Sequence, residues 1–332
     1  MSRIHVLAPG QLTTVQDLGR PGWQRHGVTP GGALDAWALR LANALVGNAE
    51  GAAGLELTLT GPTLRFLAEA LIAVTGADFQ VTVNGRRLPA WRPVRLAAGT
   101  EVVLGAALAG SRGYLAVAGG IAVPRVLGGR GTHLAAGFGG LAGRALRAGD
   151  VLKNGPPSVW ARRLAAALAV PGAFSFPRWE ISAEARPPAG TAPAIRLVRG
   201  PQWDWFSAEA RERFLRERFT VTARSDRMGL RLAGPALADG GLPEMVSEGV
   251  ATGAIQVPPD GQPIVLLADR QTIGGYPKIA HVASVDLSAL AQVRPGDTVG
   301  FQEITVAEAQ QRLLAAERQI ATVRHGIAAH AA

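Results

Sequence analysis

Apolar and polar residues alternate along this chain in short runs, and glycine and proline cut the runs apart. "IHVLAPGQ" from Ile4 and "IRLVRGPQ" from Ile195 both alternate with period two, which predicts a half-buried strand at each place. "VTVNGRRL" predicts a hairpin, because Asn84-Gly85 accepts the positive φ angles of a type I′ turn. "GAIQVPPDGQPIVLLAD" predicts strand, turn and strand. Helical spacing is rarer. Leu34, Trp37, Leu41 and Leu45 share one face of a helix over Asp35 to Val46, capped by Asp35 and stopped by Gly47. Further helices begin near Ser158 and Ser207. The last begins at Thr305, where Thr305 and Glu308 form a capping box; it is expected on a barrel surface, with its Ala-rich residues after Arg324 fraying.

"EARPPAGTAP", Glu184 to Pro193, cannot pack a core and reads as a linker. It divides the chain into a β-rich half over 1–183, the linker 184–193, a second β half over 194–304, and a C-terminal helix and tail over 305–332. Similar segments recur in the same order in both halves. "GLELTLTGPTL" from Gly54 answers to "GLRLAGPAL" from Gly229, and "VRLAAGTEVVLG" to "AQVRPGDTVGFQ". The halves therefore read as related β units, the alternative being chance likeness of Gly-Pro turns. The fold class expected is mainly β.

Composition narrows the function. The 332 residues include 42 Gly and 22 Pro, which suits many short strands and turns better than a helix bundle. A formal charge of +9 invites a nucleic-acid reading, but Lys153 and Lys278 are the sole lysines and the arginines are scattered or alternate with Glu. No nucleic-acid partner is expected. The absence of Cys excludes disulfides and thiolate chemistry. "MSRIHVLAPG" lacks a signal-peptide core, and no uncharged apolar run reaches the roughly 18 residues of a membrane span, so a cytoplasmic protein without membrane contact is expected. The histidines fall in no metal-ligand spacing, and neither a P-loop nor a G-x-S-x-G elbow occurs. No Lys sits beside Met as in a biotin-attachment site. ATP or covalent biotin would have to come from another chain.

Three stretches carry candidate chemistry. In "QDLGRPGWQRHGVTPGGALD", Gln16 to Asp35, Gly31 and Gly32 lead into a helix start whose N–H groups suit an anion, and Arg20 and Arg25 could clamp a carboxylate. The plainer alternative makes the glycines turn residues and Asp35 an N-cap. In "LLADRQTIGGYPKIAHV" a buried strand ends at Asp269. This acid is a base, an orienting group or a turn cap, with Gln271 and Thr272 as hydrogen-bonding groups and Tyr276 as a wall. In "SDRMGLRL", Gly229 points to a strand with a bulge, and Arg227 either faces an anionic ligand or lies on the surface.

Together "VQDLGRPGWQRHGVTPGGALD", "YLAVAGGIAVPRVLGGRGTH", "RGPQWDWF", "SDRMGLRL" and "GAIQVPPDGQPIVLLADRQTIGGYP" resemble the biotin-dependent carboxyltransferase family. That family includes the C subunits of 5-oxoprolinases, KipA-like proteins and allophanate hydrolase subunit 2-like proteins. The resemblance covers roughly Ile4 to Phe301 and implies cyclophilin-like β-barrel halves. It also implies partners, a KipI-like B subunit and a lamB-type A subunit. One departure stands out: the family commonly shows Gly-Ser-Arg-Ser-Thr where this chain has Gly128-Gly129-Arg130-Gly131-Thr132, so two hydroxyls are missing although Arg130 and Thr132 remain.

The function the resemblance implies is that of the C subunit of a bacterial ATP-dependent 5-oxoprolinase, inactive alone, that opens the lactam of 5-oxoproline to glutamate. Asp17 and Asp269 are then the acids for proton handling or for orienting arginines, and Arg20 with Gly31-Gly32 forms the carboxylate clamp. Two alternatives stay open. One is a urea or amide carboxyltransferase using carboxybiotin from another chain; the other is a KipA-like regulatory binding protein without turnover.

Overall fold

The computed structural model describes residues 3–187, 194–238 and 242–330. Its chain contacts divide into two units, the first formed by Met1–Arg20, Asp35–Pro187 and Arg318–Ala332, the second by Pro21–Leu34 and Pro188–Glu317. The second unit therefore takes a segment from inside the N-terminal half. The expected linker, 184–193, begins inside a 3-10 turn over Ala183–Ala185 with Ala185 buried, and its residues 188–193 lie outside the described residues.

Ten strands build the first unit: β1 (Arg3–Ala8), β2 (Leu12–Gln16), β3 (Gly54–Thr58), β4 (Thr63–Phe66), β5 (Ala70–Val83), β6 (Arg86–Arg87), β7 (Pro93–Leu96), β8 (Glu101–Val117), β9 (Val151–Lys153) and β10 (Phe174–Ser175). They form one sheet in the order β10-β7-β5-β8-β4-β1-β9, with β2 joined through β3 to β8. Its spine is the antiparallel pair of β5 and β8, whose register shifts between Gly76 and Val81 let the long strands coil. Alternation sends Ile72, Val74, Leu115 and Val117 into a core shared with Leu55, Leu57 and Phe66. Asn84 and Gly85, at φ 51° and 74°, make the expected turn between β5 and β6.

In the second unit β11 (Ala194–Arg199), β12 (Phe219–Val221), β13 (Gly229–Ala233), β14 (Glu248–Gly249), β15 (Ala254–Gln256), β16 (Ile264–Leu266), β17 (Ile273–Gly274), β18 (Lys278–Val282) and β19 (Thr298–Glu303) follow in turn. Seven of them close a barrel in the order β11-β18-β15-β16-β13-β12-β19, completed by parallel pairing of β19 with β11. β14 and β17 form a separate two-stranded strap. Ile195, Leu197, Leu230, Leu232, Ile255, Val265 and Phe301 fill the barrel core.

Five α-helices complete the described residues: α1 (Ala36–Leu45), α2 (Val159–Ala167), α3 (Ala208–Arg216), α4 (Leu287–Gln292) and α5 (Val306–Ala329). The Asp35, Ser158 and Ser207 side chains accept from the backbone N–H three residues on, at 2.9, 3.1 and 3.1 Å. At α5 the box closes both ways, Thr305 N–H to Glu308 at 2.8 Å and Glu308 N–H to Thr305 Oγ1 at 3.2 Å, and the Thr305 N–H and hydroxyl donating to it hold the Glu308 carboxyl below its ordinary pKa. On α3, Phe214 stacks on Phe301 with ring centroids 4.6 Å apart.

Two expectations change here. α5 does not fray after Arg324 but runs to Ala329, because Ile327 is buried and His330 stacks on Trp179 beyond it. Residues from Arg318 onward group with the first unit rather than the barrel: Arg324 pairs with Glu50, and Gln319 donates to the Glu184 carbonyl. α4 went unanticipated. The repeated turns, by contrast, are built alike. Thr100 N–H bonds Ala97 O before β8, and Asp297 N–H bonds Arg294 O before β19, with Gly99 and Gly296 at φ 81° and 94°.

Candidate functional site

Each unit gathers some of the candidate residues. In the first, Asp17 follows directly on β2, which ends at the buried Gln16, and its carboxylate is filled by backbone donors. Gly19 N–H and Gly131 N–H reach Oδ1 at 2.8 and 3.1 Å, and Arg130 N–H reaches Oδ2 at 2.5 Å. Arg20, 1% exposed, donates to the carbonyls of Val126 and Gly131 and lies 4.8 Å from the Phe138 ring centroid. Thr132 gives both its N–H and its hydroxyl to Val15 O, at 2.8 and 3.0 Å. Asp17, Arg20 and Thr132 thus fix the shape of the 128–132 loop. A cavity of about 400 Å³ lies alongside, lined by Pro124, Val126, Phe138 and the glycines around it. Arg130 is half-buried, with Nε on Val123 O 3.0 Å away.

Neighbouring atoms come close at both positions that lack a hydroxyl. A Cβ at Gly129 would stand 3.0 Å from Gly19 O, and one at Gly131 would stand 2.6 Å from Gln16 Oε1. Gln16 is buried with its amide N–H groups committed to Thr14 and Thr132, while Oε1 has no donor. The loop is packed around hydrogen at both positions.

In the second unit Arg227 and Asp269 meet across 42 residues. Arg227 Nε and Nη2 donate to the two carboxylate oxygens at 2.8 and 3.0 Å, and Nη2 also reaches Gly32 O at 2.6 Å. Gly31 N–H is given to Ala268 O at 3.2 Å, and Thr29 Oγ1 donates to the same carbonyl at 2.8 Å. Gly31 and Gly32, expected as part of an anion clamp, are both engaged within this unit. The Gly31 N–H is spent on the Ala268 carbonyl, and the Gly32 carbonyl faces a guanidinium. Arg227 is an internal anchor rather than a surface group. Asp35, as its plainer reading held, caps α1, and its backbone N–H donates to Tyr114 Oη at 2.7 Å. Tyr114 in turn donates to Glu56, and burial together with that carboxylate raises the phenol pKa well above its ordinary value.

A polar cavity of about 360 Å³ opens at the barrel. Gln256, Gln271, Tyr276, Arg224 and Arg231 are among the residues that line it. Gln271 Nε2 donates to Gln256 Oε1 at 3.2 Å, so the two amides form one patch. Of the residues expected from sequence, Gln271 and Tyr276 line this cavity, while Thr272 accepts Val250 N–H through its carbonyl at the edge of the β14–β17 strap. Buried Lys278 pairs with Glu248 of the strap, whose carboxyl it holds below the ordinary pKa. No group of three His, Cys, Asp or Glu side chains among the described residues is placed to hold a metal, and no helix there is long and apolar enough to cross a membrane.

Residues 26–303 match the model of the carboxyltransferase domain, subdomains A and B. The chain belongs to this carboxyltransferase family. Its relatives divide by how much of them it covers. It is 36% identical to the C subunit of 5-oxoprolinase from Haemophilus influenzae and 37% identical to that from Escherichia coli, over 92% of this chain and 93% of each relative. The crystal structure of the K. lactis urea amidolyase superposes with a TM-score of 0.86 at 33% identity, over 97% of this chain and 20% of that one. The carboxyltransferase chain thus spans about a fifth of the urea amidolyase.

Gln256 and Arg270 were not singled out from the sequence. Gln256 sits in a stretch read only as strand, turn and strand, and nothing local marks it. Arg270 stands beside Asp269 in the quoted motif, but its significance lies in what surrounds it in space.

Proposed function

We propose that this chain is the C subunit of a 5-oxoprolinase complex that opens the lactam of 5-oxoproline to glutamate. The observation that carries the reading is end-to-end correspondence with proteins of that name, 92% of this chain against 93% of theirs. The polar cavity supports it. Gln256 and Gln271 offer amide donors and acceptors that match the two sides of a cyclic amide, and Arg224 and Arg231 add cationic donors toward a lactam oxygen gaining charge. Asp17 and Asp269 have their oxygens occupied by N–H donors, which favours the orienting role over proton handling. Asp17 positions the 128–132 loop, and Asp269 positions Arg227. Proton transfer then falls to groups of a partner chain or to water.

The partners in this reading are a KipI-like B subunit and a lamB-type A subunit in the cytoplasm. In this reading ATP is brought by the partner subunits, since the sequence carries no P-loop.

A second reading rests on the TM-score of 0.86 with the urea amidolyase: a carboxyltransferase component that takes a carboxyl group from carboxybiotin carried by another chain. The cavity's donor set is compatible with a ureido ring, with Gln256 and Gln271 for its carbonyl and N–H groups and Arg224 or Arg231 for the carboxylate. Biotin would supply the carboxyl group; these side chains would bind and orient it. Affinity purification of the tagged chain with the two candidate 5-oxoprolinase subunits separates the readings. The first expects a stable three-component complex, and recovery of a biotin carrier with neither of those subunits would remove it.

A further inference from the structure

Among the described residues, Arg270 is the one buried arginine of the second unit without a carboxylate. It follows Asp269 in the turn after β16 and is 4% exposed. Its Nε donates to Val250 O at 3.3 Å, and its Nη1 is buried with no acceptor. The contrast with its neighbour is plain: Arg227 has both oxygens of Asp269 and the Gly32 carbonyl. A guanidinium cannot shed its charge by deprotonation, so a buried one calls for an acceptor. Burial alone already pulls the Arg270 pKa below its ordinary value, with no anion opposing it.

The groups around Arg270 show how an acceptor would arrive. Val250 leads out of the β14–β17 strap, and its N–H is tied to Thr272 O at 3.1 Å. The strap has two residue pairs, Glu248 with Gly274 and Gly249 with Ile273. A ladder that short separates more readily than the barrel strands beneath it. Ile273 of the strap is exposed, and Gln271 beside Arg270 already lines the polar cavity.

We infer that Arg270 is a carboxylate-binding residue, its unpartnered Nη1 edge receiving a small planar carboxylate when the β14–β17 strap lifts. Identifying that carboxylate as the one on 5-oxoproline rests on the proposed function; anion binding at Arg270 does not. The site would then select a lactam bearing a carboxylate over a neutral urea or an unsubstituted lactam. Arg suits this role better than Lys, because its planar fork matches a carboxylate with two parallel bonds.

The test uses the full chain, alone and in complex with its partner subunits. Arginine Nε–H signals are followed by NMR while 5-oxoproline or 2-pyrrolidinone, the same ring without the carboxylate, is added. The Arg270 signal should move with 5-oxoproline only. Arg270→Lys should weaken 5-oxoproline binding about ten- to hundredfold, the range expected for a lost charged hydrogen bond, and leave 2-pyrrolidinone unchanged. Arg270→Gln should do the same or more, and the wild-type titration decides should it fail to fold. Equal response to the two lactams, or unchanged affinity in Arg270→Lys, would overturn the inference. A complex that forms glutamate with normal KM in Arg270→Lys removes the inference and keeps the function. Arg270-dependent binding of carboxylates in a complex that forms no glutamate does the reverse.

Discussion

Arg227 holds Asp269 through two N–H···O bonds of 2.8 and 3.0 Å, and both side chains are 5% exposed. Their backbones are joined as well, Asp269 N–H to Arg227 O at 3.0 Å. Removing one member strands the other as a buried charge. Arg227→Met or Asp269→Asn should therefore lower the unfolding free energy by about 3–5 kcal/mol, measured by urea denaturation. The double replacement Arg227→Met with Asp269→Asn should lose less than the sum of the two single changes; additive losses would show that the pair acts as two separate anchors.

Asp17 is expected to govern order in the 128–132 loop. Asp17→Ala leaves the amides of Gly19, Arg130 and Gly131 without their acceptor, at roughly 1–3 kcal/mol for each that stays buried. Hydrogen exchange should accelerate at Arg130 and Gly131 while the β11–β19 amides of the barrel keep their protection. Unchanged exchange at Arg130 would mean that the loop is held by other groups.

Gly131 offers a sharper test of the loop. A methyl group there meets Gln16 Oε1 at 2.6 Å, so Gly131→Ala should destabilise by about 1–3 kcal/mol through overpacking. Gly131→Ser should cost less than Gly131→Ala, because its hydroxyl gives Gln16 Oε1 the donor it lacks. Thermal melts of the two variants decide this, and a serine as damaging as alanine would contradict it.

Stability should fall in two steps as the solution is acidified. Burial, helped by the charge of Lys278, depresses the His281 pKa, so the folded protein binds fewer protons there than the unfolded chain. Stability accordingly drops as pH falls through about 6.5 and levels off below the folded value. Hydrogen bonds from Lys278 to Glu248 and from Arg144 to Asp150 depress those carboxyls, so their contributions hold above about pH 4.5 and vanish as pH falls through the folded values. His281→Gln should flatten the upper step and leave the lower one in place, as read from melting temperature against pH.

Local rules carried the sequence reading well where the physics is local. Asp35, Ser158, Ser207 and Thr305 cap helices because a side-chain oxygen meets an N–H three residues away, and Asn84-Gly85 turns on its own φ preferences. α4 escaped because its preceding acid, Asp286, serves β11 instead: Arg196 N–H and Nε reach it at 2.7 and 2.9 Å. The candidate site was legible only as far as its lining. Gln271 and Tyr276 do line a cavity. Apart from Gly19 N–H on Asp17, the partners of Asp17, Arg20 and Asp269 cited above lie 42 to 114 residues away, so no spacing rule could reveal that these groups are already occupied. Arg270 is marked by a buried Nη1 without an acceptor, which a sequence does not display.

The most direct measurement is glutamate formation from 5-oxoproline and ATP by the candidate A and B subunits, with this chain added or withheld. Turnover should appear with all three chains and fall to background when this chain is omitted. Equal rates without it, or product from urea and a biotin carrier in place of 5-oxoproline, would contradict its assignment as the C subunit.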